Sequence, residues 1–474
     1  MNESTIMNYF KAISAIPRAS FNEKGMHDYL VNFANERGLK VISDAMWNVI
    51  IFKPASTGYE NAPSVMLQGH TDMVAEKDSS SDHNFDTDGL ELYEEDGFLK
   101  AKGTTLGADN GVAVAYMLAL LDDKHAEHPA LECVFTVQEE TGLTGAEKID
   151  VSMLESRLVI GLDSSGESEI YVSSCGGARA VLNRDVTFEN KTMKTVTVAI
   201  TGLFGGHSGG EIDKERGNAN KIAGILMYRA AQLMDVRVVA FAGGDKMNAI
   251  TREATFTLAV EDIQAFKDFY ETATNEFKLQ YAASDAGLAF SLTEGETEKV
   301  LDIDASRAVI TSLFMLPYGV IQMSKDIEGL VITSSNIGKV TLTDTTYEVQ
   351  MSIRATQAFV KDTVLAQVDW IGRQCGMQSE FSAKYPGWMY DPQSKFREHT
   401  ERAYRELRGE AMKHEATHGG MELGIWSDKL PGSDIVSFGP IMYDIHTPLE
   451  RLDIGSFERT YEFLVVLLEG LNNY

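Results

Sequence analysis

The segment Val65-Met-Leu-Gln-Gly-His-Thr-Asp72 decides the fold, because a short apolar run leads directly into a histidine and an aspartate. An apolar run of this length predicts a buried β-strand. Three more strand-like runs lead to a histidine or carboxylate in the same way: Val134-Phe-Thr-Val-Gln-Glu-Glu140, Leu158-Val-Ile-Gly-Leu-Asp163 and Ile435-Val-Ser-Phe-Gly-Pro-Ile-Met-Tyr-Asp-Ile-His446. Ligands of open α/β sheets bind beyond the carboxyl ends of the strands. We therefore expect the four segments to meet at one site.

Helical stretches alternate with these strands, which predicts an α/β domain with a mainly parallel sheet. Residues 4–37 are expected to form one or two amphipathic helices, with a break near Pro17. An Ala-rich helix is expected at 110–121, directly after the Gly-rich loop Gly103-Thr-Thr-Leu-Gly-Ala-Asp-Asn-Gly111. Strands are expected at 65–68, 131–138 and 157–162.

The sequence pattern changes from about residue 187, and this change predicts an inserted domain. The pattern indicates a β-α-β-β unit with strands at 196–200, 236–241 and 254–260 and a helix around 222–233. We interpret the following residues as a second unit of the same kind, with strands at 288–292, 329–334 and 347–354 and a helix at 306–316.

Asn248 and Asn336 are expected at comparable places in this weak internal repeat, each between the last two strands of its unit. The simplest architecture is an α/β domain interrupted by an inserted α+β domain of two β-α-β-β units. Residues 1–186 and 387–474 would form the two parts of the first domain, and residues 187–386 would form the insertion.

The composition is that of a globular protein, with 474 residues, 44% hydrophobic and 24% charged. The charge is strongly acidic, because 70 Asp and Glu residues outnumber 42 Lys and Arg residues and give a net charge of −28. Such a chain repels phosphate groups, so we expect neither nucleic acid nor an anionic membrane surface as a partner.

Several features favour a cytoplasmic protein. The longest clean apolar run, 111–121, is shorter than the ~18 residues that a membrane span requires. The first twenty residues lack the basic region and apolar stretch of a signal peptide. Three scattered cysteines, Cys133, Cys175 and Cys375, indicate neither a disulfide framework nor a thiolate zinc site.

The candidate site residues are informative only as a set. A His-x-Asp pair alone is more often a surface pair than a metal site, and Glu139-Glu140 alone is usually a solvated strand end. Together, two imidazoles and three carboxylates suit zinc, which takes nitrogen and oxygen ligands. Adjacent glutamates at a strand end point in different directions, so one can bind metal while the other acts as a base.

The order of these residues resembles the co-catalytic zinc aminoacylase/carboxypeptidase family of metallopeptidases. The resemblance rests on His70-Thr-Asp72, Gly107-Ala-Asp109-Asn110, Glu139-Glu140-Thr-Gly, Asp163 and His446. Finer motifs resemble its aminoacyl-histidine dipeptidase (Xaa-His dipeptidase, peptidase D) branch, almost from end to end of the chain. They are Ile16-Pro-Arg-Ala-Ser-Phe-Asn-Glu23, Leu67-Gln-Gly-His-Thr-Asp72, Gly205-Gly-His-Ser-Gly-Gly-Glu211 and Thr417-His-Gly-Gly-Met-Glu-Leu-Gly424.

The resemblance implies that the α/β domain binds two divalent metal ions, and Zn²⁺ is the metal that we expect first. Asp109 would bridge both ions. His70 and Asp163 would complete the site of one ion, and Glu140 and His446 that of the other.

The resemblance also implies the roles of neighbouring residues. Asp72 would hold His70 by a hydrogen bond and fix its tautomer. Glu139 would be the general base that takes a proton from a metal-bridging water and passes it to the leaving amine. The peptide bond between Asp109 and Asn110 is expected to be cis.

The inserted domain resembles the family's lid. His207 would stabilise the oxyanion, Arg354 would bind the substrate's terminal carboxylate, and Asn248 is a weaker candidate for a substrate contact. Many relatives have a single short lid and receive the lid histidine from a dimer partner. A doubled lid can supply His207 within one chain, which leaves both a monomer and a homodimer open.

The implied activity is that of a dizinc metallodipeptidase that hydrolyses Xaa-His dipeptides such as β-alanyl-histidine. A broader dipeptidase and an N-acyl amino acid deacylase, both with the same metal centre, are alternatives. A catalytically inactive binding protein is a further alternative, but no expected ligand and no expected base is missing from the sequence.

Overall fold

The computed structural model describes residues 4–474, which divide into two compact units. Unit 1 consists of the chain up to Ser173 together with Trp388–Ala416 and Met421–Tyr474. Unit 2 consists of Ser174–Gly387 and Thr417–Gly420. The domain boundaries at 187 and 386 stay a prediction. No helix within residues 4–474 has the length and apolar character needed to cross a membrane.

The first part of unit 1 contains the predicted alternation of helices and strands. The break between the first two helices contains Pro17, as expected. The helices are α1 (Thr5–Ser14), α2 (Lys24–Glu36), α3 (Ala108–Asp122) and α4 (Thr144–Lys148). The strands are β1 (Lys40–Ser43), β2 (Val49–Lys53), β3 (Val65–His70), β4 (Leu92–Glu95), β5 (Phe98–Ala101), β6 (Leu131–Thr136), β7 (Leu158–Gly161) and β8 (Glu169–Ser174).

Unit 2 follows, with longer and more exposed strands. Its strands are β9 (Gly176–Asp185), β10 (Phe188–Thr201), β11 (Gly206–His207), β12 (Val236–Gly243), β13 (Ala249–Ile250), β14 (Ala254–Val260), β15 (Ala289–Leu301), β16 (Gly319–Met323), β17 (Val331–Leu342), β18 (Thr346–Ala355) and β19 (Gln378–Tyr385). Its helices are α5 (Ala219–Leu233), α6 (Ile263–Gln280), α7 (Ile303–Met315) and α8 (Ala358–Gln374).

The chain then returns to unit 1. The remaining helices are α9 (Lys395–Arg408), α10 (Glu422–Lys429) and α11 (Ile454–Gly470). The remaining strands are β20 (Lys413–Thr417), β21 (Asp434–Ser437), β22 (Met442–Tyr443) and β23 (Arg451–Asp453).

The central sheet of unit 1 has the strand order β1-β2-β6-β3-β7-β21-β8-β20. Its four middle strands β6, β3, β7 and β21 run parallel, and the β1–β2, β2–β6 and β21–β8 pairs are antiparallel. The α/β class with a mainly parallel sheet is therefore confirmed. Because the middle strands are parallel, the residues that follow them lie along one edge of the sheet.

Helix α3 packs directly on strand β3, and small residues make this close approach possible. Every residue of β3 is buried, and α3 is buried from Asn110 to Leu121. A Cβ atom on Gly69 would lie only 2.3 Å from the Cβ of Ala113. Glycine at this position therefore allows the helix that carries Asp109 to lie against the strand that carries His70.

The sheet of unit 2 has the order β15-β10-β14-β12-β17-β18-β9-β19, with β16 paired to β17. It consists of two halves of the same topology, β10-α5-β12-β14-α6-β15 and β9-α7-β17-β18-α8-β19. The halves join through β12 and β17, where Ala242 lies opposite Thr341. The predicted doubling of the β-α-β-β unit is confirmed.

Two details of the predicted repeat are wrong. The second half begins with β9 rather than at 288–292, because β15 pairs with β10 and closes the first half. Asn336 lies inside β17 opposite Ser352 rather than between strands. Its amide group donates hydrogen bonds to the carbonyls of Met247 and Ala249 at 3.1 and 2.8 Å, so it supports the loop that contains Asn248.

Candidate functional site

Six of the predicted site residues of unit 1 lie at the carboxyl edge of its central sheet or in an adjacent loop. His70 ends β3, Glu139 and Glu140 follow β6, and Asp163 follows β7. Asp109 lies in the first turn of α3, and His446 lies in the loop after β22.

The carboxylate of Asp109 lies between two imidazoles. Its Oδ1 atom is 3.1 Å from Nε2 of His70, and its Oδ2 atom is 3.2 Å from Nε2 of His446. Burial works to raise the pKa of Asp109, but the hydrogen bonds with His446 and His70 outweigh burial and lower it. The carboxylate is therefore ionised and offers one oxygen in each direction.

Each imidazole has a second carboxylate of its own. Nε2 of His70 is 3.7 Å from Oδ1 of Asp163, and Nε2 of His446 is 3.0 Å from Oε1 of Glu140. Ligand atoms of His70, Asp109 and Glu140 all lie within 4.8 Å of one another. The nitrogen and oxygen donors form two groups that share Asp109, a donor set that fits divalent zinc.

Asp72 connects His70 to the turn that carries the two glutamates. Its carboxylate accepts hydrogen bonds from the backbone amides of Glu139 and Glu140, at 3.1 and 3.3 Å, and from the Ser20 hydroxyl at 2.8 Å. Nδ1 of His70 lies 3.1 Å from the backbone oxygen of Asp72 and 3.5 Å from its carboxylate. These acceptors favour the tautomer with the proton on Nδ1, which leaves Nε2 free to bind a cation.

The surroundings of Glu139 change the proton affinity of its carboxyl group. Burial raises the pKa of its carboxyl well above the ordinary value, and the nearby Asp163 and Glu422 add to this effect. A carboxyl with a raised pKa can accept a proton and later return it, which is what a general base and acid requires.

Asn110 ties three of these segments together. The peptide bond between Asp109 and Asn110 is cis, so this prediction is confirmed. The Asn110 side chain accepts a hydrogen bond from the backbone amide of His70 at 3.2 Å and donates one to the carbonyl of Leu162 at 2.8 Å. The ends of β3 and β7 are thereby fixed to the start of α3.

Glu450 supports the loop before α3, and it lies outside every motif recognised in the sequence. Its buried carboxylate accepts hydrogen bonds from four successive backbone amides, those of residues 106, 107, 108 and 109, at 2.7, 2.9, 2.8 and 3.3 Å. A carboxylate at a helix N-terminus satisfies amides that have no partner within the helix. The only sequence signal was its place four residues after His446.

Arg18 is a buried cation beneath the same loops. It donates hydrogen bonds to the carbonyls of Thr71 and Gly107 at 3.1 and 2.5 Å. A Cβ atom on Gly107 would lie 2.5 Å from the guanidinium, so glycine provides the space. Burial lowers the pKa of Arg18 to about 10, while Glu450 counteracts this shift, and the side chain stays charged. Arg18 belongs to the motif at 16–23, so the sequence did contain a signal for it.

A buried carboxyl group, Glu422, lies behind the glutamate turn. It accepts hydrogen bonds from the side chains of Gln68 and Thr136, the latter at 2.7 Å. Burial raises the pKa of Glu422 to about 8, so most of it is protonated at neutral pH. Glu422 belongs to the motif at 417–424, but the motif alone did not indicate a role for its side chain.

Within unit 2, the structure determines the tautomer of His207. Nδ1 accepts hydrogen bonds from the backbone amides of Gly209 and Gly210, at 3.3 and 3.2 Å. Burial lowers the pKa of His207, and the nearby Arg354 lowers it further. The imidazole is therefore neutral with its proton on Nε2, which makes Nε2 a hydrogen-bond donor.

Arg354 and His207 both lie close to Gly209. A Cβ atom on Gly209 would lie 2.9 Å from Cζ of Arg354 and 2.9 Å from Cε1 of His207. Arg354 is 9% exposed, and its Nε atom has no hydrogen-bond partner among the described residues. Among residues 4–474 no carboxylate lies within 4.0 Å of its guanidinium, so its charge has no carboxylate partner in this part of the chain.

Asn248 lies in the loop between β12 and β13, next to the loop that carries His207. Its backbone carbonyl accepts a hydrogen bond from the amide of Ser208 at 2.9 Å, and its side chain is exposed. Unit 2 thus brings His207, Arg354 and Asn248 into one neighbourhood.

The chain matches a protein family over most of its length. The model described as peptidase family M20/M25/M40 matches residues 66–470. The chain is also 35% identical over 476 residues to the cytosol non-specific dipeptidase of Escherichia coli strain K12, an alignment that covers 99% of this chain and 98% of the relative.

Solved structures agree with this match. The crystal structure of aminoacylhistidine dipeptidase from Vibrio alginolyticus superposes with a TM-score of 0.93 at 34% identity, and covers 99% of this chain and 97% of that chain. The aminopeptidase PepT of Bacillus cereus, at 16% identity and a TM-score of 0.57, covers 98% of both chains and shares the fold.

Proposed function

The chain belongs to peptidase family M20/M25/M40 and is a metallodipeptidase, and from this premise we propose that it hydrolyses Xaa-His dipeptides with two zinc ions. The resemblance to aminoacyl-histidine dipeptidases expected from the motifs is confirmed. β-Alanyl-histidine is the substrate that we propose first. The name of the E. coli relative, a non-specific dipeptidase, favours a broader dipeptidase as the second candidate.

The observation that carries the proposal is the position of the Asp109 carboxylate between the imidazoles of His70 and His446, at 3.1 and 3.2 Å. A carboxylate with one oxygen toward each imidazole is suited to bridge two cations. Asp163 would complete the site beside His70, and Glu140 the site beside His446. When bound, the zinc ions would lower the pKa of the attacking water and polarise the scissile carbonyl.

Glu139 would move the proton. Its raised pKa allows it to accept a proton from the attacking water and to donate it to the amine that leaves. Asp72 would hold Glu139 in place, because the Asp72 carboxylate accepts a hydrogen bond from the backbone amide of Glu139 at 3.1 Å. The backbone oxygen and the carboxylate of Asp72 would together keep the tautomer of His70 that binds metal through Nε2.

The residues of unit 2 would recognise the substrate. His207 would donate its Nε2 proton to the oxyanion that forms at the scissile carbonyl, since Nδ1 is already occupied by two backbone amides. Arg354 would bind the terminal carboxylate through a charge-assisted pair, because its guanidinium has no carboxylate partner within residues 4–474. Asn248 would make a further contact with the substrate.

The proposal includes the cellular setting. The word cytosol in the name of the E. coli relative supports a cytoplasmic location. The doubled topology of unit 2 supports a site completed by one chain, whether the protein is a monomer or a homodimer.

A substrate panel tests the proposal. The zinc-loaded protein is assayed with β-alanyl-histidine, other Xaa-His dipeptides, dipeptides without histidine and N-acetyl amino acids. We expect the highest kcat/KM for the Xaa-His dipeptides. Equal rates for dipeptides without histidine would favour the broader dipeptidase, and a preference for N-acetyl amino acids would replace the proposal with a deacylase.

A further inference from the structure

Arg354 is held by only one of its nitrogen atoms. Nη1 donates to the backbone carbonyl of His418 and to the hydroxyl of Tyr385, both at 3.4 Å. Nε, in contrast, is buried and has no hydrogen-bond partner in the part of the chain that the structure describes. The guanidinium is therefore fixed from one side, and the edge formed by Nε and Nη2 remains for a ligand.

The register of the sheet explains why His418 and Tyr385 lie beside Arg354. On β18, Arg354 lies opposite Ser334 of β17 on one side and Gly177 of β9 on the other. Ser334 contacts the ring of His418, and Gly177 lies against the ring of Tyr385. Each neighbouring strand thus supports one of the two groups that hold Nη1.

The ring of His418 is fixed at both nitrogen atoms. Nε2 lies 2.7 Å from the hydroxyl of Ser334, and Nδ1 lies 2.9 Å from the thiol of Cys175. The backbone amide of Cys175 also donates to the carbonyl of Gly419 at 2.9 Å. Burial lowers the pKa of His418 to about 3, with a further contribution from Arg354, so the ring adds no positive charge beside the guanidinium.

Tyr385 lies between two glycines. A Cβ atom on Gly177 would lie 2.5 Å from the hydroxyl oxygen of Tyr385, and one on Gly420 would lie 2.6 Å from Cε2 of its ring. Side chains at these positions would displace the ring. The glycines therefore set the place of the hydroxyl that Arg354 contacts.

We propose that His418 and Tyr385 are positioning residues that hold Nη1 of Arg354 and so present its Nε–Nη2 edge to the terminal carboxylate of the substrate. Two parallel N–H groups match the two oxygens of a carboxylate, but only if the guanidinium plane is fixed. Gly209 keeps this edge open, because a Cβ there would lie 3.1 Å from Nε. The inference rests on the proposed role of Arg354 in binding the substrate.

The test compares a dipeptide with its C-terminal amide, which lacks the carboxylate. Tyr385→Phe removes only the hydroxyl, and His418→Ala removes the ring that fixes the 417–420 segment. We expect each variant to lower the preference for the free acid, as a ratio of kcat/KM values, by ~2–10-fold, the range of one hydrogen bond. The loss should be mainly in KM, with kcat/KM for the amide unchanged.

Tyr347→Phe is the matched control, because it removes another buried hydroxyl of unit 2, which contacts Ser312 at 2.9 Å and not Arg354. Its acid-to-amide ratio should equal that of the wild type. A wild type without preference for the acid would overturn the role of Arg354 and this inference together. If the wild type prefers the acid but folded Tyr385→Phe has the same acid-to-amide ratio as the wild type, the inference alone would be overturned.

Discussion

The carboxylate of Glu450 accepts a hydrogen bond from the backbone amide of Asp109 at 3.3 Å, in addition to those of the three preceding residues. Asp109 is the residue whose carboxylate lies between His70 and His446. The position of the shared carboxylate therefore depends on a side chain more than 300 residues away in the chain.

Replacing Glu450 should weaken metal binding without removing any ligand. In Glu450→Gln the side-chain nitrogen cannot accept a backbone N–H, so part of the loop loses its support. Changes to groups that orient ligands typically cost ~10–100-fold in metal affinity. Competition with a chelator measures this loss, and the exposed Glu458→Gln on α11 is the control. Unchanged affinity in a folded Glu450→Gln protein would contradict the assigned role.

The number of zinc ions lost in each ligand variant should depend on whether the replaced residue contributes to one metal site or to both. We expect two zinc ions per chain in the wild type, about one in Asp163→Ala or Glu140→Ala, and almost none in Asp109→Ala, because only Asp109 contributes to both sites. Elemental analysis of purified protein gives these ratios, with the exposed Asp344→Ala as a control. Loss of a single ion in Asp109→Ala would refute a bridging role.

His418 should make the wild type more sensitive to acid. Its pKa is lowered from 6.5 to about 3, so below pH 6.5 the unfolded chain binds a proton that the native state does not. Stability is therefore lost as the pH falls. Between pH 7.5 and 5, this one group should lower the free energy of unfolding by about 2 kcal/mol. His418→Asn should lose less stability than the wild type over this range in urea unfolding, and equal losses would contradict the lowered pKa.

A site completed within one chain predicts the outcome of a mixing experiment. Inactive His207→Ala chains are combined with inactive Glu139→Gln chains under conditions that exchange subunits. We expect no recovery of activity, because each chain then lacks one required residue. Mixed assembly must be shown independently, for example by two affinity tags. Substantial recovery would mean that His207 acts on the metal centre of another chain.

The sequence predicted the parts of the site that short motifs carry. His70, Glu139, Glu140 and Asp163 each follow a recognisable apolar strand, and parallel pairing of those strands brings them to one edge. Local hydrophobic pattern and strand polarity were sufficient for this prediction.

The sequence did not predict contacts that depend on distant pairing. β9 pairs with β18, across more than 160 residues, so the local pattern could not show that β9 begins the second half of unit 2. Asn336 was expected in a loop, but it lies in the long strand β17, where its amide serves as a support. Glu450 and Glu422 are buried carboxyls whose partners lie far away in sequence, so no local motif revealed their roles.

The most direct test of the central claim is to measure zinc content and turnover on the same preparation of Glu139→Gln. The substitution keeps the size of the side chain but removes its ability to accept a proton. We predict two zinc ions per chain, as in the wild type, and a kcat for β-alanyl-histidine lower by ~10²–10⁴-fold, the usual contribution of a general base. Near-normal turnover with full zinc content would contradict the account.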